Sequence, residues 1–229
     1  MVGDGPATTV CKAGFYIDYP DPNLAGQRLP GFVTAAQCAQ GGMHAPVAVM
    51  KGEGGQQNPT RIKIGEITYL APGDTRPAIA GEPWTAPNSS LAVFSSGRVD
   101  WAMPVGFMVN DQQPTNEITQ SARPVEQLKA AAQWSNAFGV VTTGRVLDPA
   151  STPELKDIPS SVSRAVVAAD DKTQPIEEWV RGSPVTVEIN GATYNLGIIT
   201  SIDESRHWIV VDLLAPMLAD QGARLITTS

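Results

Sequence analysis

SPVTVEINGATYNLGIITSI, residues 183–202, decides the fold class. Two runs rich in β-branched residues flank Asn190-Gly191, and Asn-Gly between such runs is the strongest short-range hairpin signal, because both turn positions need positive φ. Working outward, HWIVVDLL (207–214) follows as a third strand, and SRAVVAAD (163–170) and FGVVTTGRVL (138–147) precede as two more. PMLADQG (216–222) suits a short helix, with Pro216 as its first residue and Gly222 as its stop.

The first half has the same texture. CKAGFYI (11–17), PGFVTAAQC (30–38), HAPVAVMKG (44–52), TRIKIGEITYL (60–70), SLAVFSS (90–96) and RVDWAMPVGFMV (98–109) read as strands. Residues 71–89 are dense in proline, glycine, threonine and serine and read as a long loop. Between the halves, ARPVEQLKAAAQWSNA (122–137) carries a helical pattern, with Val125, Leu128, Ala132 and Gln133 on one face and Pro124 in the first turn; the alternative is an irregular linker. The expected fold is all-β: two six-stranded antiparallel barrels with a short C-terminal helix, divided into residues 1–121 and 122–229.

Composition agrees with this. Of 229 residues, 17% are charged and 42% hydrophobic, which is globular rather than disordered. Glycine (21) and proline (19) are abundant, as a turn-rich β protein requires. The net charge is −7 with no basic patch, which argues against nucleic acid and anionic membrane surfaces as partners. No transmembrane run is visible. His44 and His207 have no ligand spacing around them, so no metal or other cofactor is expected. The two cysteines, Cys11 and Cys38, are either one disulfide or two separate buried thiols. A disulfide is the favoured reading; it would stabilise the fold by about 3.5 kcal/mol in the chain-entropy model and would imply an extracytoplasmic location. The first ten residues, MVGDGPATTV, lack a charged-then-apolar leader pattern, so an exported protein is expected here in processed form with an added start methionine.

Four segments in order resemble the chymotrypsin-like serine proteases, especially the bacterial alpha-lytic type. CKAGF…GFVTAAQC is similar to the opening of that family, where a strand cysteine pairs with the cysteine directly after the catalytic histidine. VDWAM (99–103) resembles the segment of the catalytic aspartate. GVVTTGRV (139–146) resembles a strand of the second barrel. VRGSPVTVEINGATYNLGIITS (180–201) looks like the nucleophile segment, G-D-S-G-S/G-P-V followed by a hairpin. The resemblance implies a Cys11–Cys38 disulfide and places the triad at positions 37, 100 and 181. There the chain has Gln37, Asp100 and Arg181, with Val180 where the family has aspartate; Gly182, Ser183 and Pro184 keep the end of the motif. SSLAV offers Ser90 as an alternative occupant of the acid position. Asp100 is preferred because it keeps the acid, and it then implies an insertion across residues 65–98.

These substitutions remove the chemistry. A serine hydroxyl needs a base to take its proton, and glutamine has no proton affinity near neutral pH. Arginine stays protonated and is no nucleophile. Arg181 is expected either to meet Asp100, directly or through Gln37, or to point to solvent. Relocated chemistry has weaker support: in an extended strand His44 lies roughly 23 Å beyond Gln37. His207 opens a late strand. Ser183 sits at a packing position. Asp170–Asp171 and Glu177–Glu178 read as a solvated loop. Trp84 is equally a core residue or part of a recognition surface. The expected function is that of an exported, monomeric, non-catalytic protease homologue that binds a protein or peptide, with Arg181, Gly182 and Ser183 as binding residues. The competing expectation is a peptidase or esterase with a relocated site.

Overall fold

The computed structural model describes residues 12–21, 24–35, 46–51, 60–70, 92–95, 116–117, 129–135, 140–148, 150–155, 164–177 and 180–225. The strands expected at 98–109, the loop at 71–89, and His44 and Trp84 lie outside these residues.

The first sheet contains β1 (Tyr16–Pro20), β2 (Arg28–Thr34), β3 (Pro46–Lys51), β4 (Thr60–Leu70) and β5 (Ala92–Ser95). A sixth strand, β13 (Arg224–Leu225), comes from the far end of the chain. The order is β13-β1-β2-β5-β4-β3, and every neighbouring pair is antiparallel. Arg28 holds the borrowed edge in place. Its Nε donates to Asp18 Oδ1 at 2.8 Å, and its Nη2 donates to the carbonyls of Asp18 and Gly222.

The second sheet closes on itself. It comprises β7 (Ala131–Ser135), β8 (Val141–Val146), β9 (Arg164–Ala169), β10 (Pro184–Ile189), β11 (Ala192–Asp203) and β12 (Trp208–Leu213). The order β10-β7-β8-β9-β12-β11 is completed by direct pairing of β10 with β11, giving a six-stranded barrel. A two-residue strand, β6 (Asn116–Glu117), pairs parallel to β11 on its outside. The hairpin read at Asn190-Gly191 is present, with φ of 53° and 77°. Trp134, Val167, Val185, Leu196, Ile199 and Val211 are among the buried residues that fill the barrel.

One expectation is overturned. The stretch read as helix at 122–137 contains β7, whose burial alternates: Ala132 and Trp134 point inward, Ala131 and Gln133 outward. Three consecutive alanines favour helix by propensity. Here β7 is the strand that closes the barrel, paired on one side to β8 and on the other to β10. Those two ladders outweigh a propensity difference of a few tenths of a kcal/mol per residue.

A helix, α1 (Leu214–Gln221), ends at Gly222 in the left-handed conformation, as expected. It begins two residues before Pro216, which its first turn tolerates because the N–H groups there have no helical partner. Leu214 and Leu218 of α1 pack with Ile198 of β11 against Phe15, Ile17, Tyr19 and Val33, joining barrel to first sheet through one apolar cluster.

Candidate functional site

The two sheets meet at residues 180–183. Val180 is 3% exposed and belongs to the barrel core. An apolar side chain here requires no counter-charge, as a carboxylate would. The Ser183 N–H donates to the Val180 carbonyl at 2.9 Å, closing a turn with Arg181 and Gly182 at its centre. Gly182 has φ +82°, and a Cβ on it would lie 2.2 Å from the Lys12 carbonyl oxygen and 2.5 Å from Thr34 Oγ1. Only glycine fits, for reasons of both conformation and space.

Backbone hydrogen bonds pin this turn from both sides. Lys12 N–H donates to the Arg181 carbonyl at 2.9 Å, and Gly182 N–H donates to the Ile199 carbonyl at 2.8 Å. Ile199 N–H donates to the Ser183 carbonyl at 3.0 Å. Thr34, fully buried at the end of β2, donates its hydroxyl to the Lys12 carbonyl at 2.8 Å. Segment 12–15, β2, β7, β11 and the turn therefore converge here.

The side chains divide into two kinds. Arg181 is half-buried, while Gly182 and Ser183 are buried. The Ser183 hydroxyl donates to the Ser135 carbonyl at 3.1 Å, which makes it a structural bond between the turn and β7. Lys12, half-buried, extends its Nζ to Ser135 Oγ at 2.8 Å and to the Ser135 carbonyl at 3.1 Å. Burial lowers the Lys12 ammonium from 10.5 to about 8. Sequence reading missed Lys12, Thr34 and Ser135. Lys12 directly follows Cys11 and Thr34 sits in GFVTA, so both were in view, but nothing local distinguishes them; Ser135 was masked by the helical reading.

Of the residues singled out from sequence, Arg181, Gly182 and Ser183 come together in this turn. Gln37, Asp100, Ser90, Cys11 and Cys38 lie outside the described residues. His207 is in the turn between β11 and β12, and its imidazole contributes to lowering the Asp171 carboxyl, chiefly held down by hydrogen bonds from Thr173. Asp170 and Asp171 are exposed, as a solvated loop requires, and Glu177 is half-buried. Among the described residues no group of His, Cys, Asp or Glu is arranged to hold a metal ion, and no helix is long and apolar enough to cross a membrane.

No family model and no curated relative matches the sequence. Solved structures do. Thermobifida fusca protease A superposes with a TM-score of 0.54 at 13% identity, over 95% of this chain and 92% of that one. Nocardiopsis protease superposes with a TM-score of 0.53 at 15% identity, over 99% of this chain and 98% of that one. A closed second barrel, a first sheet that borrows its edge, and a glycine-containing turn where they meet give this chain the chymotrypsin-like fold of bacterial serine proteases.

Proposed function

We propose that the chain is an exported homologue of these proteases that binds an extended peptide or protein segment and performs no triad chemistry at positions 37, 100 and 181. One observation supports the reading: the turn at 180–183, which motif order matches to the nucleophile loop, is pinned by backbone hydrogen bonds and carries Arg181. A hydrogen-bonded backbone that carries a cation where a nucleophile would stand suits recognition better than turnover. The guanidinium offers a bidentate partner for a ligand carboxylate, and extended ligands bind such scaffolds by strand pairing. Gly182 and Ser183 contribute by shaping the turn. The Cys11–Cys38 disulfide belongs to the same reading. It is supported by the Thr34–Lys12 hydrogen bond, which sets the residue after Cys11 beside the strand leading to Cys38. The barrel boundary near residues 121–122, a monomeric state and the absence of a cofactor complete it.

Fluorescence anisotropy with peptides ending in a free carboxylate, compared with the same peptides amidated, tests the binding role. Wild type is expected to prefer the free carboxylate, and Arg181→Gln to lose that preference. Equal binding of both peptide forms by wild type would overturn it. A second reading, a hydrolase working from a different serine, draws on the Lys12–Ser135 contact alone.

A further inference from the structure

We propose that Lys12 and Ser135 form a base–nucleophile pair at the seam of the two sheets, which takes acyl groups from small esters. The proposal goes beyond peptide binding and uses none of the residues at the three triad positions.

The geometry is that of an amine poised on a hydroxyl. Lys12 Nζ is 2.8 Å from Ser135 Oγ, within the distance over which a proton passes. The same nitrogen is 3.1 Å from the Ser135 carbonyl, which also accepts from the Ser183 hydroxyl at 3.1 Å, so the end of β7 is held by two donors. As found, Nζ donates to both oxygens; on losing a proton it would keep an N–H for the carbonyl and turn its lone pair to Oγ. Ser135 and Lys12 are half-buried, neither sealed nor freely solvated. Ser183 behind them is fully buried.

The surroundings make the ammonium easier to deprotonate than a solvated lysine. The elements against Lys12 contribute Thr34 from β2, Ser135 from β7, and Arg181 and Ser183 from the turn. Arg181 is the charged member of this set, and it carries the same sign. Among the described residues, Lys12 forms no ion pair with Glu177 or with any other carboxylate. Burial lowers the ammonium to about 8. Lysines with depressed pKa serve as bases for serine elsewhere in protein chemistry.

The reaction balances within the pair. Ser135 Oγ bonds to the ester carbonyl carbon as its proton moves to Lys12 Nζ. The carbon–alkoxy bond breaks, and the alcohol leaves with the proton from Lys12. Water then adds to the acyl carbon, giving its proton to Lys12. The acid departs, and Ser135 regains its proton from the ammonium.

The test is treatment of the full chain with a fluorophosphonate, in which an Oγ–P bond replaces P–F with loss of fluoride, followed by peptide mapping by mass spectrometry. The expected result is an adduct on Ser135, forming about tenfold faster at pH 9 than at pH 7 as Lys12 deprotonates through about 8. Lys12→Arg keeps a cation and donors but no base, and is expected to abolish the adduct with circular dichroism unchanged. No adduct at pH 9, an adduct only on another residue, or an equal rate in Lys12→Arg would overturn the proposal. If Lys12→Arg does not fold, site mapping in wild type decides alone. None of these outcomes touches the anisotropy test of peptide binding.

Discussion

The barrel and the first sheet finish themselves differently. The barrel closes on its own strands, β10 pairing both β7 and β11, around a continuous apolar core. The first sheet takes β13 from the end of the chain and secures it with Arg28 and the apolar cluster under α1. The barrel is thus a self-contained support, and the first sheet depends on the barrel's C-terminal extension to be complete. The turn at 180–183 stands between them, held by Lys12 on one side and Ile199 on the other.

Five substitutions, the last read against pH, sharpen this contrast. Trp134→Ala removes the largest inward side chain of the closing strand, 3% exposed, and is expected to cost about 3–5 kcal/mol in chemical denaturation. If residues 131–135 were an exposed helix instead, the cost would be far smaller. Gly182→Ala combines left-handed strain with a Cβ 2.2 Å from the Lys12 carbonyl, and about 2–5 kcal/mol is expected. Gly191→Ala is its control. Its φ is similar, +77°, but the added Cβ meets open space, so the strain of about 1–2 kcal/mol acts alone. A smaller gap between the two variants would mean that the seam is loosely packed.

Arg28→Ala is expected to cost about 1 kcal/mol globally, since its bonds are partly solvated. Its clearer signature is local: faster hydrogen exchange at residues 17, 18, 224 and 225, with the barrel amides unaffected. The remaining effect is with pH. The Lys12 ammonium is depressed to about 8 in the fold against 10.5 unfolded, so between those values the unfolded chain binds more protons. The Lys12 contribution to stability therefore rises as pH rises from about 8 to 10.5, and below 8 the penalty is present in full. Lys12→Met should flatten that part of the stability–pH curve.

Strands with alternating or continuous apolar runs and clear turn residues were legible in the sequence: β10, β11 and β12 follow from SPVTVEINGATYNLGIITSI and HWIVVDLL almost residue for residue. β7 was not, because AAAQW has helical propensity and its strand state is imposed by two neighbours distant in sequence. β13 was not, because two residues carry no periodicity. At the candidate site, motif order pointed to Arg181, Gly182 and Ser183, which form the turn. Lys12, Thr34 and Ser135 were not, since their roles arise only where three segments far apart in sequence meet.

The most direct measurement is steady-state hydrolysis of a fluorogenic peptide by the purified protein. On the proposal that Gln37 and Arg181 stand in place of base and nucleophile, wild type is predicted to turn over no peptide. Peptide turnover by wild type that disappears in Arg181→Gln would contradict the assignment of position 181 as a vacated nucleophile.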